Sequence, residues 1–213
     1  MGVSLKKGQG VSLKKTENNL SLVTIGLGWD VAEPKKGLLK GLFGKKEEDY
    51  DLDVVALLCG TDGKIHDLGS IDNGKPTLRN GDIIFYNSLK HHSGHIWLTG
   101  DNRTGEGDGD DEQIIVKLND LSEKYTKIIF IVQIFNATQL GQNFGKVNNA
   151  YIRAVDNANK ELVRFDLSAG ESFSQYRSIL FAELIRESDG WKFNAIGTPS
   201  PADSFVHYLK DYM

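Results

Sequence analysis

The chain has 213 residues, with 29 acidic and 25 basic side chains for a net charge of −4, 39% hydrophobic residues and one cysteine. That length suits one domain or two small ones and can bury a substantial core. A single cysteine excludes an intrachain disulfide framework or thiolate metal site, and the missing basic surplus argues against broad nucleic-acid binding. There is no N-terminal apolar region of signal-peptide type and no apolar run of about 20 residues, so the expectation is a soluble, cytoplasmic protein. Three Asn-x-Ser/Thr triplets, at Asn19, Asn102 and Asn136, are then silent, because glycosylation requires secretion.

The chain opens on a repeat, Gly-Val-Ser-Leu-Lys-Lys at residues 2–7 and again at 10–15. Alternation within each copy predicts a pair of short edge strands whose lysines guard against aggregation. Strand-like runs follow at Asn19 to Gly28, Asp51 to Cys59, Ile83 to Asn87, Ile96 to Thr99, Gln113 to Leu118 and Thr126 to Asn136. Further runs cover Tyr151 to Val155, Leu162 to Leu167, Ser178 to Arg186 and Trp191 to Ile196. They are short, often alternating, and separated by turns such as Asp62-Gly63 and Asp189-Gly190, the pattern of an all-β two-sheet sandwich or barrel. Cys59 closes one apolar run and reads as a buried small hydrophobe. Ser200-Pro201-Ala202-Asp203 offers a cap, a first-turn proline and an acid, which predicts a C-terminal helix from Ser200 to Tyr212.

The densest chemistry lies between Gly100 and Glu112, where thirteen residues hold six carboxylates, four glycines and a single Arg103. The segment from Asp101 to Glu112 carries −5, so the rest of the chain sums to +1 and the acidity is local. Crowded carboxylates repel one another, and glycines let backbone carbonyls turn inward, which suits a hard oxygen-seeking dication such as Ca²⁺. The same composition also describes a solvated loop. The spacing fails the EF-hand template, since counting from Asp101 puts Arg103 at position 3 and Glu106 at position 6. A calcium site must therefore draw ligands from elsewhere. Asp30 ends one apolar run, Asp51 and Asp53 share a face at the start of another, and Asn87 ends a third. Each taken alone reads equally as a strand-end or turn residue.

These motifs carry a resemblance. Gly26-Leu27-Gly28-Trp29-Asp30, Asp51-Leu52-Asp53, Phe85-Tyr86-Asn87 and the acidic segment, in that order, resemble the TerD family of bacterial tellurium-resistance and stress-response proteins. The likeness continues through Lys127-Ile128-Ile129-Phe130, Asn143-Phe144-Gly145-Lys146-Val147, Ala150-Tyr151-Ile152-Arg153, Phe181-Ala182-Glu183-Leu184 and Trp191-Lys192-Phe193. The resemblance implies a single β-sandwich domain over 1–213 with short peripheral helices, binding two Ca²⁺ ions, without catalytic activity and working beside other Ter-type stress proteins. The matching calcium positions are Asp30, Asp51, Asp53, Asn87, Asp101, Asn102, Asp108, Asp110, Asp111 and Glu112. Related domains described as binding cyclic nucleotides keep a small-ligand sensor as the alternative, beside a metal-dependent hydrolase of a phosphorylated ligand.

Two insertions depart from the compact family pattern, at about 34–50 and 61–80. In the first, Leu38, Leu39, Leu42 and Phe43 recur at helical spacing among five lysines from Lys35 to Lys46. Such a segment either lies on an anionic membrane or acidic partner or forms a solvated loop, since three glycines weaken the helix by about 1 kcal/mol each. The cluster His91-His92-Ser93-Gly94-His95 has no acid or cysteine at metal-ligand spacing and predicts a structural or surface role. Nucleophile elbows, phosphate loops and dinucleotide fingerprints are absent from the sequence.

Overall fold

The computed structural model describes residues 2–31, 50–99, 109–167 and 173–213. In chain order its strands are β1 (Val3–Leu5), β2 (Gly10–Lys14), β3 (Val23–Val31), β4 (Leu52–Cys59), β5 (Ile71–Asp72), β6 (Lys75–Pro76) and β7 (Ile83–Ile84). There follow β8 (Ile96–Thr99), β9 (Glu112–Val116), β10 (Lys127–Ile134), β11 (Val147–Asp156), β12 (Glu161–Asp166), β13 (Ser178–Glu187) and β14 (Gly190–Ser200). Two short helices are α1 (Ala137–Leu140) and α2 (Val206–Tyr212). The strands form two six-stranded sheets, β1-β12-β11-β3-β9-β8 and β2-β14-β13-β10-β4-β7, with β5 and β6 as a separate hairpin.

Alternation explains the sandwich. Along β3, Val23, Ile25, Leu27 and Trp29 are buried in a core shared with Leu58, Phe130 and Phe181 of the other sheet, so the two inner faces meet. Thr24, Gly26, Gly28 and Asp30 consequently face away from that core. β4 is buried along its whole length because both of its faces are covered. Leu52, Val54, Ala56 and Leu58 enter the inter-sheet core, while Val55, Leu57 and Cys59 join a second cluster with Ile129, Ile131, Phe205, Tyr208 and Leu209. Seven residues are too few for a helix to hold itself, so α2 depends on docking Tyr208 and Leu209, at roughly 1.5–3 kcal/mol for each large side chain buried. Burial also pushes the Cys59 thiol up to about 12, which makes it inert.

Both copies of the N-terminal repeat are edge strands, but of different sheets. β1 pairs parallel with β12 and β2 antiparallel with β14. The reversal between them uses Gly8 at φ 83°, with Lys6 N–H donating to Gln9 Oε1 at 2.8 Å. The duplicated motif thus closes the same side of the sandwich twice.

The C-terminal helix starts six residues later than its sequence signal. Ser200 ends β14 opposite Ser178, and the helix begins at Val206. β14 outlasts its alternating run because Gly197, at φ 61°, sits where the register with β13 slips between Leu180 and Ala182. The Ser-Pro-Ala-Asp cap signal is spent locally: Ser200 Oγ accepts from Ala202 N–H at 3.2 Å, and Asp203 Oδ2 accepts from Thr138 N–H at 3.3 Å. β11 likewise starts at Val147, ahead of the expected Tyr151, through an irregularity at Asn149 with φ 50°. The 61–80 insertion contains the β5–β6 hairpin. The lysine-rich segment Lys35 to Lys46 lies outside the described residues.

Candidate functional site

The acidic segment re-enters the described structure at Gly109 and leads into β9, which pairs with β3 through Leu27 and Glu112. Asp111 lies across the end of β3, its N–H donating to the Leu27 carbonyl at 2.8 Å and its Oδ2 accepting from Trp29 N–H at 3.0 Å. Glu112 turns inward and is 2% exposed. Its Oε2 accepts from Val54 N–H at 2.6 Å, crossing from one sheet to the other. That donor is available because β7 is two residues long and pairs only with Ala56 and Leu57, which leaves the edge of β4 open at Val54. Glu112 therefore terminates one sheet while being paired in the other.

Asp53 sits one residue away on β4 and is 4% exposed. Its Oδ2 accepts from Gln133 Nε2 at 3.1 Å, and Gln133 Oε1 accepts from Phe205 N–H at 2.7 Å, linking the strand entrance to the segment before α2. Asp51 is half-buried with Oδ1 inaccessible to solvent, and its carbonyl accepts from Phe135 N–H at 2.8 Å. Tyr86 stands against Phe135, ring centroids 5.6 Å apart. Burial pushes the Tyr86 phenol up, and the Asp53 charge adds to the shift. The structure thus brings Asp53, Asp111 and Glu112 to one end of the sandwich, with Asp51 and the Asn87 turn adjoining.

Two further expected ligands have protein partners on the outer face of the sheet. Asp30 faces outward and accepts from Asn149 Nδ2 at 2.7 Å. Asp110 lies flat over Gly26, where a Cβ would fall 2.1 Å from its Oδ2, so only glycine lets it settle there. Its Oδ1 accepts from Arg153 Nε at 2.8 Å and from the Tyr151 hydroxyl at 3.0 Å. The same hydroxyl lies 2.6 Å from the Gly109 carbonyl, and the Tyr151 ring packs over Gly28 beneath Arg164, 3.6 Å from its centroid. Burial and the neighbouring Asp110 carboxylate push the Tyr151 phenol up to about 12. Asp110 is consequently a clasp that fixes the exit of the acidic segment on the outer face of the sheet. Sequence reasoning missed its partners, although Tyr151-x-Arg153 has the i, i+2 spacing of one strand face. Asp101, Asn102 and Asp108 lie outside the described residues.

Among the described residues no group of three or more His, Cys, Asp or Glu is arranged to hold a metal ion. The donor chemistry nevertheless suits calcium: the side chains of Asp51, Asp53, Asp111 and Glu112 offer only oxygen, and two of these carboxylates are buried.

A second polar network lies at the other end. His91 is buried, with Nε2 3.2 Å from Asp82 Oδ1 and Nδ1 2.7 Å from Ser93 Oγ. Tyr125 donates its hydroxyl to the same Asp82 oxygen at 2.5 Å, and Asp67 N–H donates to Asp82 Oδ2 at 3.1 Å. Burial pushes the Asp82 carboxyl up, but the hydrogen bonds from His91, Tyr125 and Asp67 outweigh it and hold the group below the usual range. The role of His91 is structural, and the acid it lacks in sequence arrives from Asp82.

A two-sheet β-sandwich in which Asp111 and Glu112 bond the backbones of β3 and β4 defines the class. The TerD domain model matches residues 1–212, and the chain belongs to that family of tellurium-resistance and stress-response proteins. It is 68% identical to the tellurium resistance protein TerX of Serratia marcescens over 213 residues, covering 100% of both chains. It is 40% identical over 199 residues to general stress protein 16U of Bacillus subtilis, covering 93% and 91%. The crystal structure of a telluride resistance protein (TerD) homologue from Streptomyces coelicolor shares the fold, with TM-score 0.62, 18% identity, and coverage of 92% and 99%. Among the described residues no helix is long and apolar enough to cross a membrane.

Proposed function

We propose that this chain is a non-enzymatic, calcium-responsive binding or scaffold protein of the cytoplasmic stress response, contributing to tellurite tolerance beside other Ter-type proteins. The observation that carries the reading is the burial of Asp53 and Glu112, with Asp111 next to Glu112, at the end of the sandwich that the acidic segment enters. Burying carboxylates from two chain regions costs electrostatic energy, which a cation offsets. Asp51, Asp53, Asp111 and Glu112 would hold Ca²⁺ from the sandwich, with Asp101, Asn102 and Asp108 from the acidic segment, Asp30 and Asn87 completing the two-ion set. Bound calcium supplies positive charge that neutralises these carboxylates. Asp110 serves by keeping the segment seated through Arg153 and Tyr151.

The test is calorimetric titration of chelator-stripped protein with calcium, magnesium as control, and Glu112→Gln as the variant. The expected result is saturable binding, selective over magnesium and weakened at least about tenfold in the variant. Equal affinity in wild type and variant sinks the assignment.

A further inference from the structure

The far end of β4 opens into a cleft of about 310 Å³ lined by Gly60, Thr61, His66, Asp82, Lys124 and Tyr125. Asp53 and Gly60 are seven residues apart along an extended chain, so this cleft lies about 23 Å from the acidic end. Its walls are built rather than incidental. The Arg186 guanidinium donates to the carbonyls of Leu121, Ser122 and Tyr125 at 2.8, 3.1 and 2.9 Å, fixing the loop that carries Lys124. Thr126 Oγ1 donates to the Gly60 carbonyl at 2.8 Å, tying that loop to the end of β4. Tyr125 is locked beneath by its hydrogen bond to Asp82.

The two carboxylates at the opening, Asp62 and Asp82, already accept from protein donors, so the groups left free are cationic or neutral. The Lys124 ammonium rests 4.6 Å from the centroid of the Tyr125 ring and forms no ion pair with a described carboxylate. The His66 ring leans over Gly60, where a Cβ would meet its Nε2 at 2.6 Å, and that nitrogen is 3.0 Å from Asp62 Oδ1. Its Nδ1 makes no hydrogen bond to a described residue, and Thr61, which lines the same cleft, is exposed. Asp82 lies at the floor, but its oxygens already accept from three donors, so it offers nothing to a cationic ligand. What remains for a ligand is an ammonium, an imidazole edge and a hydroxyl around the edge of an aromatic ring.

We propose that this cleft binds a small organic anion, its carboxylate or phosphate head held by Lys124, Thr61 and His66 and its body filling the cleft above the buried Tyr125 side chain. The volume is that of a small-molecule site, and a charge-assisted contact beside an aromatic surface is the usual way to select such a ligand. The site is independent of the acidic end and of any metal bound there.

The experiment is a titration of full-length, ¹⁵N-labelled protein with phenyl phosphate and, separately, benzoate, each in chelator and in calcium, followed by amide shifts. Support consists of saturable shifts centred on Gly60, Thr61 and Lys124, equal in chelator and calcium, with affinity reduced at least about tenfold in Lys124→Met. Lys124 is exposed, so that variant keeps the fold; Thr61→Val is the second variant and should weaken binding in the same direction. The stronger of the two probes identifies the head group. Shifts that stay linear and scatter over lysines remote from the cleft, or affinity unchanged in both variants, overturn the proposal.

Discussion

Replacing Gly26 with alanine tests the clasp without touching any charged group. A Cβ at Gly26 would stand 2.1 Å from Asp110 Oδ2 and 2.2 Å from its Cγ, so the carboxylate must leave its seat. Leaving breaks the Arg153 Nε contact at 2.8 Å and the Tyr151 contact at 3.0 Å. Hydrogen bonds to a charged group are worth about 1.5–3 kcal/mol each in favourable settings. Asp110 is 4% exposed at its side chain, but Arg153 is 27% exposed and retains Glu161 at 3.4 Å, which lowers its share. Alanine returns about 0.5–1 kcal/mol over glycine in a strand. The expected loss for Gly26→Ala is therefore about 1.5–3 kcal/mol in urea denaturation without metal. Arg153→Met should cost a similar amount, because it abandons the same carboxylate. The double variant should fall short of additivity by about 1–2 kcal/mol, since the second change removes an interaction already lost. Additive losses, or a Gly26→Ala protein at least as stable as wild type, would refute the clasp.

Glu112→Gln keeps an acceptor for Val54 N–H and removes one charge from the acidic end, so apo stability should hold or rise while calcium stabilisation shrinks; thermal melts with and without calcium read both. In wild type, calcium at about 100 times its Kd should add about 2.7 kcal/mol, or roughly 6–10 °C in Tm. Asp82→Ala should be the costlier change, about 3–5 kcal/mol, because it strands the buried His91 ring, the Tyr125 hydroxyl and Asp67 N–H together. Folding holds the Asp82 carboxyl below its ordinary 3.8, so its contribution is complete above that value and is lost as pH falls through the lower folded value. Wild type should then lose stability steeply below about pH 4, and Asp82→Asn should show a shallower loss across the same window.

The sandwich was legible because its strands announce themselves by alternation, and β4 by an apolar run that only a doubly covered strand can bury. The errors fall where local chemistry is diverted by long-range pairing. Ser200-Pro201-Ala202-Asp203 has the residues of a helix cap, yet Gly197 lets β14 run on to Ser200 and Asp203 is drawn to Thr138. The crowding of acids beside strand ends was readable, since like charges there call for compensation. Their division of labour was not. Nothing in the sequence distinguishes Asp110, seated on Gly26 under Arg153, from Asp111, whose carboxylate accepts from the Trp29 backbone. Asp82 left no signal at all, because its partners His91 and Tyr125 reach it only through the fold.

Glu112 gives the acidic end a mechanical consequence. It is the residue where a strand of one sheet bonds the open edge of the other, through Val54 N–H, and Asp111 bonds the adjacent end of β3 through Trp29 N–H. Neutralising these carboxylates removes the repulsion that would pull them away from the two amides, so calcium should tighten the joint between sheets before it alters anything remote. Hydrogen exchange makes the argument quantitative. Protection at Val54 and Trp29 should rise on calcium addition by more than protection at Gly60, whose N–H bonds the Lys64 carbonyl at 2.8 Å at the opposite end of β4. Equal gains at all three amides would mean that calcium stabilises the whole sandwich uniformly and that Glu112 is not the joint through which it acts.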